Sequence, residues 1–231
     1  EIHVDYCFMG KAEDHRPKCI VVAKDRETRM VMASVVPLKG ASREFPARRI
    51  RAFVNELGCE HVEIIIKSDQ EPAIIDLVRE VARLRAPANT LMEESPVAAS
   101  ASNGAVERGI QTCEGQIRVL KDALEARIKD KVKSDDPVLT WLVEFAAVLV
   151  NRYEVGHDEK TPFERSRGKK SKMLGLEFGE MLNFRRNRAP GRLAKLDCQC
   201  EAGIFLADRT TTALLYTPTS PPYRPSPPPP T

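Results

Sequence analysis

The chain opens on "EIHVDYCFMG", where apolar and polar positions alternate with the period-two signature of a strand. "PKCIVVAKDR" and "TRMVMASVVP" are two further β-rich runs, and Asp25-Arg26-Glu27-Thr28 between them predicts a hairpin. In "REFPARRIRAFVNELG" the rhythm changes to 3.6: Ile50, Phe53, Val54 and Leu57 share one face, and Gly58 can end the helix. "EHVEIIIKSD" reads as a buried strand. "EPAIIDLVREVARLRA" reads as a second helix with Pro72 in its first turn, and "NTLMEESP" as a short strand. Small residues follow from Ser100 to Ala105 and predict a mobile loop. Glu107 then stands at the start of a long helix over 105–130, with Ile110, Cys113, Ile117, Leu120, Leu124 and Ile128 facing the core. "DPVLTWLVEFAAVLVNRYEV" predicts another helix, capped by Asp136-Pro137. The order β-β-β-α-β-α-β-α-α predicts an α/β fold, a mixed five-stranded sheet flanked by helices.

After Val155 the pattern changes. "TPFERSRGKKSKMLG" is basic and irregular, a linker or docking segment. "EFGEMLNFRR", "CEAGIFLAD" and "TALLYTP" predict short strands at small-barrel spacing, and from Thr217 the proline-rich tail predicts an extended, unpacked segment. The expected division is a core domain over 1–155, a basic linker over 156–180, a small β-rich module over 181–217 and a disordered proline-rich tail over 218–231.

Composition narrows the partner. The 231 residues are 42% hydrophobic and 30% charged, an ordinary globular mixture. The net charge is only +3, but between Lys160 and Lys195 eleven basic residues face three acidic ones. A basic block on a mildly acidic body suits a polyanion. Arg185, Arg186, Arg188 and Arg192 could grip phosphates, and Lys169, Lys170 and Lys172 could do so or act as a nuclear-import patch. The six cysteines lack disulfide spacing, which predicts a reducing compartment, and Cys198-x-Cys200 is too tight for a zinc knuckle. "WLVEFAAVLV" is short and carries Glu144, so it predicts a core helix and no membrane span. No signal peptide opens the chain, and a start at Glu1 inside a strand pattern predicts a piece of a longer polypeptide.

Three acids coincide with element ends. Asp5 lies in the first strand, Asp69 at the end of "IIIKSD" and Glu107 at the helix start. A sheet that sets the first and fourth strands side by side brings Asp5 and Asp69 together, and the helix can supply the third carboxylate. Clustered carboxylates repel one another unless a cation sits among them. Hard oxygen donors with open positions suit Mg²⁺ or Mn²⁺, and two such ions form the clamp used for in-line phosphoryl transfer. Taken singly, each acid also fits an ordinary surface charge.

"HVDYC", "IKSDQEPAI" and "SNGAVERGIQ" resemble the three acidic motifs of the retroviral and retrotransposon integrase core, a ribonuclease H-like fold. "WLVEFAAVLVNRY", "KTPFERSRGKK" and "GRLAKLDCQCEAGIFLADR" resemble the segments that follow that core in copia-type elements. The resemblance implies 3′-end processing and strand transfer of element DNA into host DNA, with two divalent ions on Asp5, Asp69 and Glu107. It implies a mobile loop through Ser102, Asn103 and Gly104 that meets the DNA end. It also implies double-stranded DNA as partner, a homo-oligomer, and work in the nucleus or a cytoplasmic pre-integration particle. Arg108, Arg118, Lys121, Lys169, Lys170, Arg185 and Arg186 are the candidate DNA contacts. The chain departs from the family in Gln70-Glu71-Pro72 after the second acid and in Gln111 and Glu114 where basic residues are common. The alternatives are a metal-dependent ribonuclease H-like nuclease and a non-catalytic, domesticated DNA-binding relic.

Overall fold

The computed structural model describes residues 1–10, 17–40, 44–95, 100–172, 175–185, 200–209 and 212–216. The proline-rich tail, Arg186, Arg188, Arg192 and Cys198 lie outside them. Two compact units divide the chain, Glu1–Leu174 and Gly175–Thr231.

The first unit holds β1 (Ile2–Met9), β2 (Lys18–Asp25), β3 (Val31–Val36), α1 (Phe45–Glu56), β4 (Ile64–Ser68), α2 (Pro72–Arg85), β5 (Thr90–Glu94), α3 (Ser100–Ile128), α4 (Val138–Tyr153) and α5 (Pro162–Arg167). The sheet order is β3-β2-β1-β4-β5. β1 pairs antiparallel to β2 and parallel to β4, and β5 continues parallel to β4. The sheet is mixed and helix-flanked, in the predicted element order.

Alternation along β1 sets the two faces. Ile2, Val4 and Tyr6 join Ile50, Phe53 and Val54 of α1 and Ile74, Leu77 and Val78 of α2 in one buried core. Burying each such side chain is worth about 1.5–3 kcal/mol. Asp5 therefore points to the opposite face, with His3 and Cys7. α3 and α4 cover that face. Gly109 of α3 lies against Lys24 and Val31, and Asn151 of α4 bonds the Val31 backbone on both sides, receiving its N–H at 2.8 Å and donating to its carbonyl at 2.7 Å. Arg85, buried at the end of α2, donates to the carbonyls of Cys59, Val62 and Asn89 and ties the helix end to the strand loops.

Helix ends follow sequence signals. Leu57 closes α1, and Gly58 follows with φ 81, a left-handed conformation that suits glycine. Pro137 is the N-cap of α4, and Asp136 before it accepts the Val138 N–H at 2.9 Å.

Two expectations are corrected. The segment read as a mobile loop is helical from Ser100, so Ser102, Asn103 and Gly104 belong to α3 and Glu107 lies two turns inside it. Ser and Asn favour helix starts as well as loops. A mid-helix glycine costs about 1 kcal/mol, which the fully buried Val106 offsets. The irregular basic segment contains α5, closed at its start by a capping box between Thr161 and Glu164 and at its end by Gly168 with φ 68.

The second unit holds β6 (Met181–Arg185), β7 (Cys200–Arg209) and β8 (Thr212–Tyr216) in an antiparallel sheet of order β6-β7-β8. Phe178, Phe205, Leu206 and Ala207 are buried.

Candidate active site

The parallel pairing of β1 with β4 matches Ile2 to Ile66 and His3 to Lys67. Two residues further in the same register, Asp5 stands opposite Asp69, the first residue past β4. The Asp5 carboxylate accepts the Tyr6 N–H at 2.7 Å. Asp69 accepts the Glu71 N–H at 3.2 Å, and this turn leads into Pro72 at the first position of α2. Both aspartates are half-buried.

Burial pushes the Asp5 carboxyl above the usual carboxylate range. The Tyr6 N–H opposes that shift, the Asp69 charge adds to it, Lys39 opposes it and Glu71 adds to it. Lys39 is committed elsewhere. Its Nζ donates to Glu71 Oε1 and Oε2 at 2.7 and 2.6 Å and stands 5.5 and 5.1 Å from the ring centroids of Tyr6 and Phe8. The Asp5–Asp69 pair is thus a set of hard oxygen donors with an excess of negative charge, and it fits a divalent cation.

Glu107 lies on α3, exposed. The buried stripe of that helix runs through Val106, Gly109, Cys113 and Ile117. Burial first and the Glu114 charge next push the Cys7 thiol up to about 12, and Glu114 stands two turns on from Glu107 on the same flank. Cys7 shares the β1 face with Asp5, so the flank that carries Glu107 borders that face. Among the described residues, no three His, Cys, Asp or Glu side chains come together as a metal-holding group. The structure joins Asp5 to Asp69 and leaves Glu107 outside the pair.

The candidate DNA contacts are dispersed. Ser102, Asn103 and Gly104 occupy the first turns of α3, and Arg108 is exposed on the same helix. Arg118 is exposed and 3.9 Å from Glu114. Lys121 pairs with Glu125, whose carboxyl is held down to about 2 by Lys121 first and Lys131 next. Lys169 and Lys170 are exposed beyond α5, and Arg185 ends β6. Sequence reasoning missed Lys39. Nothing local marks it, because its place beside Asp5 depends on the packing of the segment after β3 against the start of α2.

No protein-family model matches the chain, and no curated protein matches it. Among solved structures, it is similar to a chain of the simian T-cell lymphotropic virus intasome in complex with a PP2A regulatory subunit. The identity is 12%, the match covers 94% of this chain and 75% of that one, and the TM-score is 0.53. It is also similar to the HTLV-2 integrase catalytic core domain in complex with magnesium, at 17% identity over 72% of this chain and 95% of that one, TM-score 0.48. The BIV integrase catalytic core domain matches at 20% identity over 71% and 90%, TM-score 0.45. Identity at this level speaks to the fold. With its mixed β3-β2-β1-β4-β5 sheet and helices on both faces, the chain shares the fold of the simian T-cell lymphotropic virus intasome chain.

Proposed function

We propose that the chain is a retroelement integrase, a divalent-metal-dependent polynucleotidyl transferase that processes 3′ ends and transfers element DNA strands into host DNA. The observation that carries this reading is the parallel β1–β4 register, which, continued by two residues, brings Asp5 opposite Asp69 just past the end of β4. Asp5 and Asp69 hold the metal from β1 and the end of β4, and Glu107 completes the set from α3. Two Mg²⁺ or Mn²⁺ ions held by these carboxylates would supply activation of the attacking water or 3′-hydroxyl and stabilisation of the leaving 3′-oxygen. The protein's own part is to fix its carboxylates on a strand pair and a helix and to hold the DNA in line.

Glu107 reaches the aspartates by a local adjustment of the first turns of α3, where a Cβ built on Gly104 would meet no atom within 4 Å. Ser102, Asn103, Gly104 and Arg108 meet the DNA end there. Lys169, Lys170, Arg185 and Arg186 bind phosphates outside the core. Arg118 and Lys121 contribute by exchanging Glu114 and Glu125 for phosphates. The partner is double-stranded DNA, the working form a homo-oligomer with two active sites for two DNA ends, and the place of work the nucleus. The terminal segments extend the resemblance to copia-type elements.

A branched DNA that mimics the joined product, supplied with Mg²⁺ or Mn²⁺, tests this against Glu107→Gln. Metal-dependent resealing that is lost in the variant is the expected result. Cutting without resealing would instead identify a ribonuclease H-like nuclease. Salt-sensitive binding without chemistry in either protein would identify a DNA-binding relic.

A further inference from the structure

A cavity of about 500 Å³ lies in the first unit between the β2–β3 turn, the early turns of α3 and the segment joining α4 to α5. Five cationic side chains line it: Lys24, Arg26, Arg29, Arg108 and Arg165. Two of them are spent. Arg26 donates to Glu1 at 2.8 Å. Arg165 forms a two-pronged pair with Asp158, Nε to Oδ2 at 2.9 Å and Nη2 to Oδ1 at 2.5 Å. It also donates to the Lys160 carbonyl at 3.0 Å and the Thr28 carbonyl at 3.4 Å, so it forms a wall. Gly156 makes that wall possible, because a Cβ there would stand 2.1 Å from the Arg165 Nη2.

Lys24, Arg29 and Arg108 have no hydrogen-bond or ion-pair partner for their charged ends among the described residues. The charges of Arg29 and Arg108 both act on Lys24, and burial with these like charges lowers its proton affinity while Glu154 raises it. The carboxylates are fewer. Asp25 is occupied by the Thr28 N–H at 2.8 Å and the Thr28 hydroxyl at 2.7 Å, which leaves Glu154. Arg29 is held at φ 63, a left-handed conformation uncommon for a side-chain-bearing residue, at the tip of the turn. Three cations without an ion-pair partner among the described residues and one carboxylate line a preformed concavity, a set that suits an anion.

We infer that this cavity is a phosphate-oxyanion site, with Lys24, Arg29 and Arg108 as its donors and Arg165 as its fixed wall. It is distinct from the Asp5–Asp69 pair and requires no metal. The chemistry is that of a phosphate group carrying one or two negative charges, which a guanidinium meets with two parallel N–H donors. Its source is either a backbone phosphodiester of bound DNA or a free phosphate.

The full chain is titrated with inorganic phosphate in EDTA, at constant ionic strength balanced by chloride, while backbone amides are followed by NMR. The expected result is saturable shifts at Arg29, Ala105 and Arg108. Arg29→Gly and Arg108→Gln should each weaken phosphate binding by about tenfold or more, the value of one charge-assisted hydrogen bond. Arg29→Gly suits the left-handed turn and Arg108 is exposed, so both variants keep the fold, and thermal melts verify it. Non-saturating shifts, or equal shifts at the exposed Arg79 and Arg118, would overturn the inference. A duplex DNA then separates the sources. If it displaces phosphate and the double variant binds it more weakly, the site takes a backbone phosphodiester. If phosphate saturates the site and duplex affinity is unchanged, the site takes free phosphate. With EDTA present and Asp5 and Asp69 intact, the result is independent of whether the chain joins DNA.

Discussion

Asn151 closes the outer edge of the sheet, and replacing it by alanine gives a prediction whose size follows from the structure. The side chain acts as a piece of an extra strand: its Oδ1 receives the Val31 N–H at 2.8 Å and its Nδ2 donates to the Val31 carbonyl at 2.7 Å. Val31 is 2% exposed and Asn151 7%, so water does not replace the lost partners without opening the contact between α4 and β3. Each buried backbone group left unpaired costs about 1–3 kcal/mol, and the two together about 2–6 kcal/mol. Against a total stability of about 5–15 kcal/mol this is a large loss. At about 2–4 °C per kcal/mol for a chain of this size, Asn151→Ala should lower Tm by roughly 5–15 °C. Urea unfolding of the full chain measures the energy, and amide exchange at Val31 localises it. The Val31 amide should exchange far faster in Asn151→Ala and stay protected in Asn151→Asp, which keeps the acceptor and loses the donor. A variant that melts within about a degree of the parent, with Val31 still protected, would refute the reasoning.

Three further outcomes follow from the same geometry. Asp5 has its carboxyl raised in the fold, so the stability tied to its proton is full at low pH and is lost as pH rises through the folded value. In EDTA, Asp5→Asn should therefore unfold at higher urea than the parent at pH 7, the difference should shrink toward acid, and Mg²⁺ should stabilise the parent and not the variant. Glu71→Gln removes one negative charge that acts on Asp5 and releases Lys39, which acts in the opposite sense, so the Asp5 carboxyl should titrate lower by carbon NMR. Gly156→Ala should break the Arg165–Asp158 pair, lower Tm and weaken phosphate binding in the cavity, because the new Cβ would stand 2.1 Å from Arg165 Nη2 and 2.9 Å from Asp158 Oδ1.

The strands and paired helices are legible in the sequence because their signals are local. Alternation marks β1, the Asp25–Thr28 turn marks the hairpin, and Pro72 marks the start of α2. The adjacency of Asp5 and Asp69 follows once the first and fourth strands are neighbours, an order the local pattern leaves open and the resemblance implies. The start of α3 is not legible, since Ser, Asn and Gly serve loops and helix ends alike and burial of Val106 decides between them. α5 carries its full signature in Thr161-Pro162-Phe163-Glu164 with Gly168 behind it, and the surrounding lysines and arginines mask it. Lys39 and the oxyanion cavity depend on contacts across 32 to more than 100 residues of chain, which no local pattern encodes.

The account of the active site turns on whether Glu107 joins the two aspartates when metal is present. A titration of the full chain with Mn²⁺, followed by paramagnetic broadening of backbone amides, measures this directly. The account predicts that the signals around Asp5, Asp69 and Glu107 broaden together at the lowest Mn²⁺ and that Glu107→Gln weakens the effect at all three places. Broadening confined to Asp5, Asp69 and Glu71, unchanged in Glu107→Gln, would contradict it.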